Sequence, residues 1–124
     1  MNLTAENYHT TQANEQYLSV SFLKGLEDCP AGTFAIQNGE YDKEQTTAML
    51  VGSYLHAAFE SEEEFNKVIE ENESKILTKA GKKRAEFKQA DIMIETLKQD
   101  DFAMYMLDGE KEVILTGELY GLPF

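Results

Sequence analysis

Three side chains in the 124-residue sequence are histidine or cysteine: His9, Cys29 and His56. One cysteine cannot form an internal disulfide, and two histidines with one cysteine cannot build a Cys/His zinc site, so any metal must be held mostly by carboxylates. His56 falls in a helical pattern over 46–59, on the face of Gly52 and Met49, four and seven residues earlier. Taken alone, that placement reads as a core histidine with one ring nitrogen hydrogen-bonded. Gly52 in mid-helix costs about 1 kcal/mol relative to Ala, which points to another backbone packed close to it. Glu112 opens a β-branched run and reads as a strand-edge carboxylate, with Asp108 and Glu118 as the neighbouring acids. Ser19 and Ser21 read as helix caps, because no His or Asp is placed to activate either as a nucleophile. Cys29 before Pro30 reads as a small buried side chain. Tyr8, Tyr17, Tyr41, Tyr54, Tyr105 and Tyr120 offer stacking surfaces for bases, but without a basic groove they read as core or surface fillers.

Charge narrows the partners. There are 23 Asp and Glu against 11 Lys and Arg, a formal net charge of −12 with a sequence pI near 4.5. Proteins that grip nucleic acid by its phosphates gain affinity from a basic face, and this chain as a whole repels phosphate. Its positive charge concentrates at Lys79, Lys82, Lys83 and Arg84, just after an acidic block of Glu60, Glu62, Glu63, Glu64, Glu70, Glu71 and Glu73. Charge runs of this kind usually form a solvated helix face and a surface turn. With 42% hydrophobic residues the chain has enough apolar side chain for a core, and its length suits one domain over 1–124. Neither a membrane-length apolar run nor a basic-then-apolar leader is present, so the expected setting is soluble and cytoplasmic.

The elements that must position these residues are mostly helical. The segment 3–17 is polar and turn-rich. A helix over 19–28 follows, capped by Ser19 or Ser21, with Val20/Leu23 and Phe22/Leu26 as a buried stripe and Cys29-Pro30 as its end. A second helical piece covers 31–37 and closes at Asn38-Gly39. The helix over 46–59 belongs in the core. Phe65, Val68, Ile69 and Ile76 mark a helix over 62–76 that breaks at Ala80-Gly81, and Phe87, Ala90, Ile94 and Leu97 mark an amphipathic one over 82–99. A further turn or two spans 101–107. The period then changes: Glu112-Val113-Ile114-Leu115-Thr116 predicts a strand over 112–119 that turns back at Gly121. A lone hairpin with a three-residue second arm is marginal, so the expectation is either a fragment or a chain whose missing strands a partner supplies.

The runs Leu18-Ser19-Val20-Ser21-Phe22-Leu23-Lys24, Cys29-Pro30, Gly52-Ser53-Tyr54-Leu55-His56-Ala57 and Gly109-Glu110-Lys111-Glu112-Val113, in that order, resemble the phage and bacterial RecE-type exonucleases. These are close to the RecB-like branch of the PD-(D/E)XK nucleases. The resemblance implies an α+β (α/β) fold, here its helix-rich N-terminal part ending in a strand or hairpin with an incomplete sheet. It implies that His56 contributes to a Mg2+ or Mn2+ site and that Glu112 opens the first core strand. The family's remaining carboxylates, an aspartate on the second strand and Asp/Glu-x-Lys on the third, come later than residue 124. One imidazole and one glutamate do not suffice for two-metal phosphodiester cleavage, so the isolated chain is expected to be inactive and to hold no metal.

Two functions follow. As the N-terminal portion of a RecE-like DNA exonuclease, the chain meets DNA and divalent metal only within an intact enzyme. As a stand-alone acidic inhibitor, it occupies the basic surface of a nucleic-acid-processing protein through Glu62, Glu63, Glu64, Glu70 and Glu71. Neither involves a membrane, and the unpaired strand end favours self-association.

Overall fold

Six of the eight helices among the described residues begin where a side-chain acceptor meets the first free N–H groups, and Glu73–Ile76 and Ala85–Lys98 begin without one. In the computed structural model, which describes residues 1–4, 6–41 and 44–124, Thr10 caps α1 (Thr11–Gln16) and Ser19 caps α2 (Val20–Asp28). The Cys29 thiol caps α3 (Pro30–Gln37), accepting from Gly32 N at 3.4 Å. Thr46 caps α4 (Thr47–Glu60) and Ser61 caps α5 (Glu62–Glu71). After α6 (Glu73–Ile76) and α7 (Ala85–Lys98), Asp100 caps α8 (Asp101–Met106). The only ladder among the described residues is the antiparallel hairpin β1 (Glu118–Leu119) and β2 (Leu122–Pro123), in register Glu118↔Pro123 and Leu119↔Leu122.

The chain forms two compact units. One comprises Met1–Glu44 and Val113–Phe124, and the other Gln45–Glu112. In the first, α2 lies against α3 through the edge-on pair Phe22–Phe34 at 5.8 Å. The Leu18 amide donates to Pro123 O at 2.8 Å, which ties the hairpin to the start of α2. Tyr120 and Gly121 form the hairpin turn with φ of 53° and 79°. Two consecutive positive φ values match the right-handed twist of the arms and call for glycine in at least one place.

The second unit holds the main core. Leu50 and Tyr54 of α4, Ile76 of α6, and Phe87, Ala90 and Ile94 of α7 are buried together, with Phe65, Val68 and Ile69 of α5 packed against them. Tyr54 is the centre, with its ring edge-on to Phe65 at 4.8 Å and to Phe87 at 5.3 Å. Its hydroxyl donates to Asp91 Oδ1 at 2.6 Å. Lys83 Nζ donates to both Tyr54 Oη at 2.7 Å and Asp91 Oδ2 at 2.6 Å. A buried phenol is thus satisfied by an ion pair at the core's edge, as polar groups removed from water require.

Several sequence expectations change. The segment 3–17 contains α1, whose Ala13 is buried. Within α2, Val20 is 65% exposed, so the stripe is reduced to Phe22 and Leu26. The helix over 62–76 is interrupted at Asn72, whose side chain donates back to Val68 O at 3.0 Å. The helix over 82–99 starts only at Ala85, because Lys83 is drawn into an isolated bridge with Leu77. Cys29 is exposed, its sulfur used for capping. A Cβ added at Gly52 meets nothing within 4 Å, so no backbone packs there. Residues 112–116 are not a strand: pairing begins at Gly117, which exchanges both backbone hydrogen bonds with Phe124. The second arm reaches no further along the first, and the earlier β-branched residues have no ladder partner.

Two measurements check this packing. Thr46→Ala removes the cap that accepts from Met49 N at 3.2 Å and should cost about 1 kcal/mol, read as a lowered urea midpoint; Thr46→Ser should be near neutral. The second concerns pH. Burial and then the bond to Asp91 push the Tyr54 phenol above its ordinary range. Burial opposes the Lys83 charge most strongly, but its bonds to Asp91 and Tyr54 together outweigh that and hold its ammonium above the ordinary lysine range. Both groups keep their protons to higher pH when folded, so this stabilisation is whole below about pH 10 and is lost as pH rises through the raised values. Thermal melts from pH 8 to 11 should fall steeply only above pH 10, and more shallowly in Lys83→Met.

Candidate metal centre

His56 lies in the last half of α4, on the side away from Leu50 and Tyr54. Its side chain is 62% exposed, which overturns the packed-core reading. Its two ring nitrogens face two carboxylates: Nε2 lies 3.2 Å from Glu112 Oε1, and Nδ1 lies 3.8 Å from Glu60 Oε2. Glu60 is one turn further along the same helix, where i and i+4 side chains share a face. Glu112 comes from the segment after α8, with a backbone φ of 52°. A left-handed conformation in a residue with a Cβ costs about 1–2 kcal/mol, and here it accompanies a carboxylate turned to the imidazole.

One atom from each of the three residues lies within 4.8 Å of the others. Two ligands bonded at about 2.0–2.6 Å to one ion span a similar distance. An imidazole with two carboxylates suits Mn2+ or, with added waters, Mg2+, and the exposure of His56 and Glu112 leaves room for those waters. The residues present therefore fit a divalent cation. His56 and Glu112, the two ligands implied by resemblance, are brought together, while Asp108 and Glu118 are not in the cluster. Glu60, part of the acidic block in sequence, joins His56 and Glu112, and its four-residue spacing from His56 is the sequence signal for it.

The other singled-out acids lie along α5. Glu62, Glu63 and Glu64 fill its first turn, where the helix dipole favours negative charge. Glu64 also pairs with Lys67 at 3.5 Å, and Glu70 and Glu71 are exposed. Two Glu-x-Lys tripeptides, Glu73-Ser74-Lys75 and Glu86-Phe87-Lys88, lie on α6 and α7, and the Phe87 side chain between the latter pair is fully buried. Neither has the strand setting of the nuclease motif. Ser19 is confirmed as a cap, accepting from Phe22 N at 3.1 Å.

Residues 19–124 match the family described as a PDDEXK-like domain of unknown function (DUF3799). The chain belongs to that family. In a crystal structure from Eubacterium rectale, a protein described as "Putative exonuclease" is 36% identical and superposes with a TM-score of 0.91. The match covers all of this chain and 48% of the other. The chain thus spans about half the length of that relative. No curated protein matches it. The helix-rich α+β architecture is that of this nuclease-like family, and no helix among the described residues is long and apolar enough to cross a membrane.

Proposed function

We propose that this chain is the N-terminal, metal-contributing part of a RecE-like DNA exonuclease, with His56, Glu112 and Glu60 as its share of a divalent-metal site. The observation that carries the reading is the three-residue cluster, with atoms within 4.8 Å, in a PDDEXK-like domain. A divalent ion bound there supplies a Lewis acid for a phosphodiester and a bound water of lowered pKa. His56 offers one imidazole nitrogen, and α4 fixes its direction. Glu60 and Glu112 offset the ion's charge and hold the ring between them. These three do not complete the family's catalytic set. The resemblance puts the second-strand aspartate and the third-strand Asp/Glu-x-Lys in sequence later than residue 124, and DNA is the substrate of the complete enzyme.

The coding sequence after the Phe124 codon tests the proposal cheaply. An open frame encoding an aspartate and then a strand-borne Asp/Glu-x-Lys supports it. A stop codon contradicts it and favours the acidic inhibitor acting through Glu62, Glu63, Glu64, Glu70 and Glu71. At the bench, the 124-residue chain should leave end-labelled duplex DNA intact in Mg2+ or Mn2+. Degradation that vanishes in His56→Ala would show that these residues suffice for cleavage and overturn the division of labour proposed here.

A further inference from the structure

Residues 75–88 carry six of the eleven Lys and Arg in a chain of net charge −12, against one carboxylate, Glu86. Lys83 turns inward to Tyr54 and Asp91. Lys75, Lys79, Lys82, Arg84 and Lys88 are exposed and form no ion pair among the described residues. The backbone at their centre is held on both sides: Thr78 N donates to Lys82 O at 2.7 Å, Gly81 N to Thr78 O at 2.8 Å, and Arg84 N to Ile76 O at 2.9 Å. The Arg84 guanidinium donates to the Leu77 and Ser74 carbonyls at 3.4 and 3.3 Å, which keeps its charge beside the turn. No large apolar side chain is exposed over 75–88, since Ile76 and Phe87 are buried and Leu77 is half-buried.

We propose that this turn is an anchor for the phosphate backbone of DNA, separate from the metal centre, with Lys79 and Lys82 as positioning residues. The choice of DNA rests on the nuclease reading above, while the choice of a polyanion rests on the turn itself. Protein interfaces are built around apolar and aromatic side chains and are poor in lysine, the reverse of this surface. Backbone binding to DNA needs only cations that replace condensed counterions. Acidic side chains elsewhere on the chain do not cancel the turn's charge, because exposed charges more than about 8 Å apart are largely screened at physiological ionic strength. Lys83 ties the turn to the Tyr54 side of α4, and His56 faces the other way. An α-helix is about 10–12 Å across, and a DNA strand carries a phosphate for each step of about 3.4 Å along the axis, so one phosphate cannot meet both places. The anchor therefore holds a stretch of backbone away from the bond that is cut.

The test measures binding of the 124-residue chain to a short fluorescein-labelled duplex by anisotropy, in EDTA and over a series of salt concentrations. The expected result is salt-dependent binding that the Lys79→Ala, Lys82→Ala double variant weakens about tenfold or more at low salt. The slope of log affinity against log salt should fall by about two in that variant, one for each lysine. Should the double variant fail to fold by circular dichroism, each single variant should lower the slope by about one. His56→Ala and Glu112→Gln should leave this metal-free binding unchanged. No binding by the unaltered chain, or an unchanged affinity and slope in the lysine variants, overturns the anchor. Poly-glutamate that competes as well as DNA, charge for charge, also overturns it and gives the surface to an acidic protein. Failure of Mn2+ to reach His56 with the lysine-dependent binding intact overturns the metal centre and spares the anchor.

Discussion

Replacing Tyr54 with alanine should cost the folded chain about 3–5 kcal/mol, the range for deleting a large buried aromatic side chain. Three losses coincide. The ring is fully buried and in edge contact with Phe65 and Phe87, so its removal leaves a void between α4, α5 and α7 that these helices cannot close without moving. The hydroxyl is also lost as a partner to both Asp91 and Lys83. Domains of this size are stable by only about 5–15 kcal/mol, so Tyr54→Ala should lose a large share of the total stability and unfold at a much lower urea concentration. Tyr54→Phe keeps the ring and leaves Lys83 and Asp91 bonded to each other, and it should cost about 1 kcal/mol. Urea unfolding followed by circular dichroism reads both. Equal losses in the two variants would mean that the hydrogen bonds, and not the packing, dominate at this position.

The second large effect is on metal affinity. His56→Ala removes the residue that both carboxylates face, and Glu112→Gln removes the charge nearest to it, 3.2 Å from Nε2. Altering residues that merely orient metal ligands costs about 10–100-fold in affinity, so either of these substitutions should cost at least that much. Glu60→Gln should fall at the lower end, since its oxygen lies further from the ring at 3.8 Å. Mn2+ binding measured by electron paramagnetic resonance separates these cases. None of the three should lower the melting temperature by more than a few degrees, because His56 and Glu112 are exposed and Glu60 is only half-buried.

The sequence disclosed the helices that carry their own signals and missed what depends on distant partners. The helices α4 and α7 were legible because Met49, Leu50, Leu55, Ala57, Ala58 and Phe59 leave α4 almost no wholly polar face, and Phe87, Ala90, Ile94 and Leu97 recur at helical spacing in α7. The strand expected over 112–116 was not, since β-branched composition becomes a strand only where another segment pairs with it, and Phe124 pairs no further back than Gly117. Asn72 broke a helix that periodicity alone carried through, by bonding its side chain to Val68 O. At the candidate site, resemblance supplied His56 and Glu112. Glu60 was visible as a four-residue interval but was absorbed into a run of surface charge. The Tyr54–Lys83–Asp91 network was not legible at all, because it joins residues 29 and 37 positions apart that only the packing of α4 against α7 brings together.

The most direct test of the metal centre is the imidazole NMR spectrum of the chain during Mn2+ titration. There are only two histidines, and His9 lies in the other compact unit, where it serves as the internal reference. The expected result is that the His56 ring signals broaden with the first equivalent of Mn2+ while those of His9 do not. Excess Mg2+ should reverse the broadening, and the Glu60→Gln, Glu112→Gln double variant should abolish it. Broadening of both histidines in parallel, or of His56 equally in the double variant, would contradict a metal site built from His56, Glu60 and Glu112.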